Sequence, residues 1–194
     1  MGRKRVEDWL QQAREGDLNA FSRLVREYEH RIYGLCLRLL KHPEDAKDAA
    51  QETFLKVFRR IGDFRGESGF STWLYRITVN TCTDFARKRK RETGRKAVLN
   101  DEHETWTERL PDREPLPEAV VVREDMKRAL LRAIDSLPDK YRIPLVLHVQ
   151  QGLSYQETAE VLGLSVQTTA TRIHRAKEKL RKHPVFAMEG GSVI

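Results

Sequence analysis

The stretch that decides the fold runs from Phe64 to Arg91, FRGESGFSTWLYRITVNTCTDFARKRKR. It opens with a glycine-containing loop, Arg65-Gly66-Glu67-Ser68-Gly69, passes Ser71 as the expected N-cap, and then runs without Pro or Gly until Gly94. That pattern predicts a loop feeding a long helix. At about 100° per residue, Tyr75, Val79, Cys82 and Ala86, with Phe70, Trp73, Leu74, Ile77 and Phe85, cover well over half the circumference, so burial on two sides is expected. One strip stays polar: Arg76, Asn80, Thr83 and Arg87. Such a strip, beside an aromatic-bearing loop and ending in Arg87-Lys88-Arg89-Lys90-Arg91, suits a strand of nucleic acid. Cations hold phosphates, amides and hydroxyls read base edges, and aromatics stack on exposed bases. Taken singly, Phe64, Phe70 or Trp73 reads more simply as core, and a basic helix end as a solvated, dipole-favoured C-terminus. Their combination carries the functional reading.

The composition agrees with it. At 194 residues, 39% hydrophobic and 34% charged, the chain has room for one large or two small domains of an ordinary globular protein. A formal net charge of +7 and a pI near 9.5 favour a polyanionic partner, nucleic acid or a membrane surface. No apolar run approaches a membrane span or a signal peptide, so the chain is expected to stay in the cytoplasm without inserting into a membrane. Cys36 and Cys82 sit in apolar helical patterns without metal-ligand spacing and read as reduced core residues.

The segment F-R-G-E-S-G-F-S-T-W-L-Y-R-I-T-V-N resembles the region of extracytoplasmic-function (ECF) sigma factors that melts and reads the promoter minus ten element. The resemblance implies that the Phe64 to Thr72 loop captures a flipped base, with Trp73, Arg76 and Asn80 supporting the pocket. The minus ten contact set is then Phe64, Arg65, Phe70, Ser71, Thr72, Trp73, Arg76, Asn80, Thr83 and Arg87.

Upstream, Val6 to Arg14 reads as a short helix stopped by Gly16, and Asp17 caps a long amphipathic helix running to Leu40. Its apolar stripe is core. His42-Pro43-Glu44-Asp45 starts a third helix reaching about Ile61, buried through Ala46, Ala50, Thr53, Phe54, Val57 and Ile61. Asp45, Asp48, Gln51, Glu52, Leu55 and Arg59 then point outward, and Leu55 ringed by Asp48, Gln51 and Glu52 has the form of an apolar centre with a polar rim. A solvated acidic face is the alternative for these residues alone. In sigma factors the similar segment binds the clamp helices of the large catalytic subunit of RNA polymerase, which implies that role for Asp48, Gln51, Glu52 and Leu55.

From Glu92 to about Val121 three prolines and a surplus of acids read as a linker, repelled by DNA. In the family this segment threads toward the RNA exit path; a plain spacer explains the composition equally well. A second helical module begins near Val122, with a stripe of Met126, Ala129, Leu130, Ala133, Ile134 and Leu137, and a following helix bent by Pro144. Ser154 with Glu157 makes a capping box, Ala159 and Leu162 face the core, Gly163-Leu164-Ser165 supplies a turn and a cap, and Val166 to Lys182 forms the second helix of a helix-turn-helix. Val166, Thr169, Ile173, Ala176 and Leu180 share its inner side. Gln167, Thr168, Thr171, His174 and Arg175 lie opposite with Arg172 at the edge, the residue types that read base edges and hold phosphates. G-L-S-Y-Q-E-T-A-E-V-L-G-L-S followed by R-I-H-R-A-K resembles the sigma region that reads the minus thirty-five element, which implies that contact for these six residues. One departure stands out: the family usually carries a basic residue where this chain has Ala170.

The expectation is an all-α protein of two helical domains. Residues 1–92 form a helical bundle with the promoter-melting helix, 93–121 an acidic linker, 122–183 the helix-turn-helix domain and 184–194 a mobile tail. The expected function is an alternative sigma factor that binds core RNA polymerase and directs promoter-specific initiation, with promoter DNA and a cognate anti-sigma factor as further partners. No catalytic constellation, cofactor, metal site or small-molecule substrate is expected. The rivals are a stand-alone helix-turn-helix regulator binding duplex DNA without polymerase, and an adaptor binding protein and RNA or membrane.

Overall fold

The computed structural model describes residues 2–93 and 118–184, every one of them in a helix or a short connection. Helix α1 spans Gly2–Arg14, α2 Leu18–Leu40, α3 Pro43–Arg60, and a 3-10 turn Ile61–Asp63 leads through a loop to α4, Phe70–Thr93. The second half holds α5 (Glu118–Asp135), α6 (Asp139–Leu145), a π turn (Val146–Gln150), α7 (Tyr155–Leu162) and α8 (Val166–Arg181). Nearly all of the acidic linker and of the tail lies outside the described residues.

Local chemistry fixes most helix ends. The Asp17 carboxylate accepts from the Asn19 and Ala20 amides at 2.7 and 3.2 Å, satisfying donors that the first turn of α2 leaves open. At its other end Lys41 adopts φ 57°, the left-handed conformation usual for glycine at that place. The His42 ring accepts from the Asp45 amide, and Pro43 fills the first turn of α3. Ser71 does not cap α4. The Trp73 amide bonds to the Gly69 carbonyl, so the helix begins at Phe70, with Ser71 already inside its first turn. The second half also starts earlier than expected, because α5 reaches back to Glu118, four residues before Val122.

In the first half α2 packs on α1, α3 and α4, and α3 on α4. The shared core is Leu24, Tyr28, Ile32, Leu35, Ala46, Ala49, Val57, Leu74 and Ile77. Cys36 and Cys82 are both buried there as free thiols, and the neighbouring Cys82 thiol together with burial raises the Cys36 pKa well above a free thiol's. Ala86 departs from the expected buried face: it is exposed where α4 runs past the bundle. In the second half α6 and α7 pack on α8 around Ala133, Leu145, Leu147, Val161, Ile173 and Leu180. Val166, expected on the inner side, is exposed because it occupies the first position of α8, beyond the reach of its neighbours. Pro144 does not simply bend its helix. Lacking an amide hydrogen, it cannot continue the helical ladder, and α6 widens into the π turn, where the Gln151 amide reaches Val146 five residues back.

The halves touch along a polar seam. The C-terminal end of α5 draws cations from both halves: the Arg38 guanidinium meets the Asp135 carboxylate at 2.8 Å, the Lys41 ammonium donates to the Asp135 carbonyl at 2.6 Å, and the Arg142 guanidinium of α6 donates to the same carbonyl at 3.4 Å. Arg142, only 2% exposed, donates to the Leu39 carbonyl at 3.2 Å and pairs with Asp139 at 2.8 Å. Burial lowers its pKa, while Asp139 and Asp135 act the other way. Farther along, α7 lies against α4.

Candidate nucleic-acid and partner interfaces

The loop before α4 is built on an aromatic cluster. Phe64 and Phe70 are buried, meet edge to face at 5.9 Å, and both pack against Trp73, at 5.2 and 5.9 Å. Tyr28 of α2 closes the cluster against Phe70 at 5.6 Å. Phe64, Phe70 and Thr72 therefore do not present open faces to a base; they set the base of the loop. Thr72 is fully buried and its hydroxyl lacks a hydrogen-bond partner. Arg65 and Gly66 are exposed, Ser71 and Trp73 half-buried. Gly66, at φ +74°, turns the chain back toward α4.

Along α4 the expected strip is present. Asn80 and Arg87 are exposed, and Arg76 and Thr83 are half-buried. Thr83 gives its hydroxyl hydrogen to the Val79 carbonyl, leaving its oxygen to accept. Arg76 has a partner that sequence spacing could not show: its guanidinium meets Glu160 of α7 at 2.7 Å. One residue away, the buried Tyr75 hydroxyl donates to Gln151 at 3.0 Å. The helix-turn-helix thus covers one end of the strip and leaves Asn80 and Arg87 open. The basic run beyond is partly engaged, Arg87 beside Asp84 at 4.0 Å and Arg89 on Asp45 of α3 at 2.9 Å.

On α3, Leu55 is 49% exposed, with Asp48 and Gln51 exposed and Glu52 half-buried beside it. Phe58, 47% exposed, extends the apolar centre by one turn and meets Phe21 of α2 edge-on at 5.0 Å. The sequence reading left Phe58 out, although its spacing of three from Leu55 was the signal.

In the helix-turn-helix both halves of the capping box form: the Glu157 amide donates to the Ser154 hydroxyl at 3.1 Å, and the Ser154 amide to the Glu157 carboxylate at 2.8 Å. Gly163 takes φ 64°, and the Ser165 hydroxyl accepts from the Thr168 amide at 3.1 Å to open α8. Gln167, Thr168, Thr171, His174 and Arg175 are all exposed and Arg172 is half-buried, whereas Thr169, Ile173, Ala176 and Leu180 are buried. His174 sits 3.8 Å from Glu178. Among the described residues no group of three or more His, Cys, Asp or Glu is placed to hold a metal, and no helix is long and apolar enough to cross a membrane.

Comparison with known proteins places this geometry. Residues 24–92 match the Sigma-70 region 2 family and residues 127–180 match Sigma-70, region 4. The ECF RNA polymerase sigma factor SigW of Bacillus subtilis is 39% identical over 89% of this chain and 93% of its own length. The RNA polymerase sigma-H factor of Pseudomonas aeruginosa is 37% identical over 89% and 90%. The chain belongs to the ECF sigma factors. The Escherichia coli ECF sigma-E factor is a further relative of this sigma factor, 34% identical over 88% of the chain and 90% of that protein. Among solved structures, CnrH in complex with the cytosolic domain of CnrY superposes with a TM-score of 0.64 at 25% identity, over 91% of this sigma factor and 94% of CnrH. The sigma factor RpoE of Bartonella quintana, solved with the anti-sigma factor NepR, shares the fold at a TM-score of 0.70 and 20% identity, over 89% and 99% of the two chains.

Proposed function

We propose that this sigma factor docks on core RNA polymerase through the α3 face of Asp48, Gln51, Glu52, Leu55 and Phe58. It then reads the minus ten element with the strip Arg76, Asn80, Thr83 and Arg87, beside the exposed loop at Arg65 and Gly66 and the half-buried Ser71 and Trp73 of the first turn of α4, and the minus thirty-five element with Gln167, Thr168, Thr171, Arg172, His174 and Arg175. The observation that carries the reading is the co-occurrence, in one chain of this family, of a polar strip on an otherwise buried helix and an exposed recognition face on α8. Residues 1–92 and 122–183, the second reaching back to Glu118, act as the two DNA-binding domains.

No chemistry of its own is required. A site that binds an unpaired base more tightly than a stacked one shifts the duplex toward the open form without ATP. Two weak sites on one tether reinforce each other through effective concentration. Arg76 must leave Glu160 before it reaches DNA, so loading onto polymerase opens the contact between α4 and α7. The factor acts without enzymatic activity in the cytoplasm, and an anti-sigma factor holds it in reserve. Run-off transcription by purified core polymerase on a library of promoter fragments tests this. Start sites that appear only when the chain is added support it; sequence-specific duplex binding with no new start site would assign the chain to the stand-alone regulators instead.

A further inference from the structure

Ala170 leaves α8 without the cation usual for the family, yet the same domain gathers cations from a neighbouring helix. A groove of about 330 Å³ runs between α6 and α8, lined by Lys140 and Tyr141 on one side and by Thr168, Thr171, Arg172 and Arg175 on the other. Among the described residues no carboxylate lines it. The nearest acid in sequence, Asp139, is paired with the buried Arg142 at 2.8 Å.

Tyr141 organises the groove. The Lys140 ammonium lies 5.0 Å from the centre of its ring and the Lys179 ammonium 5.9 Å, within reach of the ring's negative face. The Arg175 guanidinium beside the phenol lowers its pKa, with Lys140 acting the same way. Tyr141 thus stands amid Lys140, Arg172, Arg175 and Lys179, cations whose mutual repulsion an incoming anion relieves. The groove adjoins the exposed face of α8 and remains open while α7 lies against α4.

We propose that Lys140 and Tyr141 of α6, with Arg172, Arg175 and Lys179 of α8, form a clamp for a backbone phosphate of duplex DNA at the rim of the groove that α8 enters. This rests on the reading of α8 as the duplex-binding helix and deepens it: α8 reads bases, and the α6 side fixes register through sequence-independent contacts. The clamp takes over from α6 the phosphate-holding role that Ala170 cannot supply.

The experiment uses the full chain and fluorescein-labelled duplexes of two unrelated mixed sequences, with affinity followed by anisotropy across a fourfold range of KCl. Each phosphate contact contributes about 0.9 to the slope of log K against log salt, so Lys140→Ala should lower that slope by about 0.9. Its affinity then changes about 3.5-fold less than that of the unaltered chain over the fourfold range. Lys140→Arg should restore the slope, Tyr141→Phe should weaken both duplexes equally with little change in slope, and Lys47→Ala on α3 should do neither. Salt-dependent binding by the unaltered chain, matched by Lys140→Ala and Tyr141→Phe, would overturn the clamp and leave the reading of α8 standing. Absence of any duplex binding by the unaltered chain would overturn both. A thermal midpoint measured for each variant separates a lost contact from a lost fold.

Discussion

Replacing Leu55 by alanine trims the centre of the α3 face without touching the core behind it. Fully burying a leucine stabilises by about 1.5–3 kcal/mol. Leu55 is 49% exposed, so roughly half of that, about 0.8–1.5 kcal/mol, is available to a partner that covers it. At about 1.4 kcal/mol per tenfold, Leu55→Ala should weaken the complex with core polymerase about 4- to 12-fold. Phe58→Ala, at similar exposure and one turn away, should do as much or more, with the double variant departing from additivity because the side chains share one patch. Leu55→Arg places a cation where a partner excludes water, at a cost of about 3 kcal/mol or more, beyond a hundredfold. Stability should move by less than about 0.5 kcal/mol in Leu55→Ala, since the site is on the surface. Competition of each variant against dye-labelled unaltered chain for limiting core polymerase, with a thermal scan as control, reads both quantities. A folded Leu55→Arg variant that competes as well as the unaltered chain would refute the reasoning.

Other consequences follow from the seam and the core. Arg142→Met keeps the packed stem but withdraws donors from the Leu39 and Asp135 carbonyls, a loss of about 2–4 kcal/mol, and should lower the thermal midpoint by about 5–15 °C; an unchanged midpoint contradicts the bonding described. Glu160→Lys sets a like charge against Arg76 and should part α7 from α4. Dyes at His30→Cys and Glu178→Cys, placed selectively because Cys36 and Cys82 are buried, should then show reduced energy transfer, and equal transfer would count against the contact. The Cys36 pKa is raised in the folded state, so its contribution to stability is fully present below the unfolded thiol's pKa of about 8.5 and is lost as pH rises above it. Chemical denaturation should show stability falling by up to about 1.4 kcal/mol per pH unit above that point, a slope that Cys36→Ala removes up to about pH 10, where the buried Tyr28 and Tyr75, also raised, begin to add their own; a flat profile in the unaltered chain below that point would remove the argument.

Legibility from sequence followed the range of the interactions involved. Caps at Asp17, Ser154 and Ser165 were readable because each is decided within three residues of chain. The strip Arg76, Asn80, Thr83 and Arg87 was readable because helical period alone sets it. Ser71 misled because serine is an equally good cap two residues later, and Gly69 offers no side chain to advertise the role. Glu118 was hidden behind Pro117 and a run of acids that resembles a linker. Ala86 and Val166 have the right phase for burial but lie where no neighbour reaches, which periodicity does not encode. The pairs Arg38 with Asp135 and Arg76 with Glu160 join residues far apart in the chain, and a single sequence gives no sign of which exposed charges meet. Lys140 and Tyr141 stood outside the helix-turn-helix motif, so only the packing of α6 on α8 brought them beside its exposed face.

Permanganate footprinting of the reconstituted holoenzyme on a promoter it transcribes tests the central claim, that α4 captures opened minus ten DNA. The unaltered chain should produce reactive, unpaired thymines at that element, and Arg76→Ala combined with Asn80→Ala should lose them while still assembling with core polymerase. An undiminished reactive bubble in the double variant would contradict the assignment of the α4 strip.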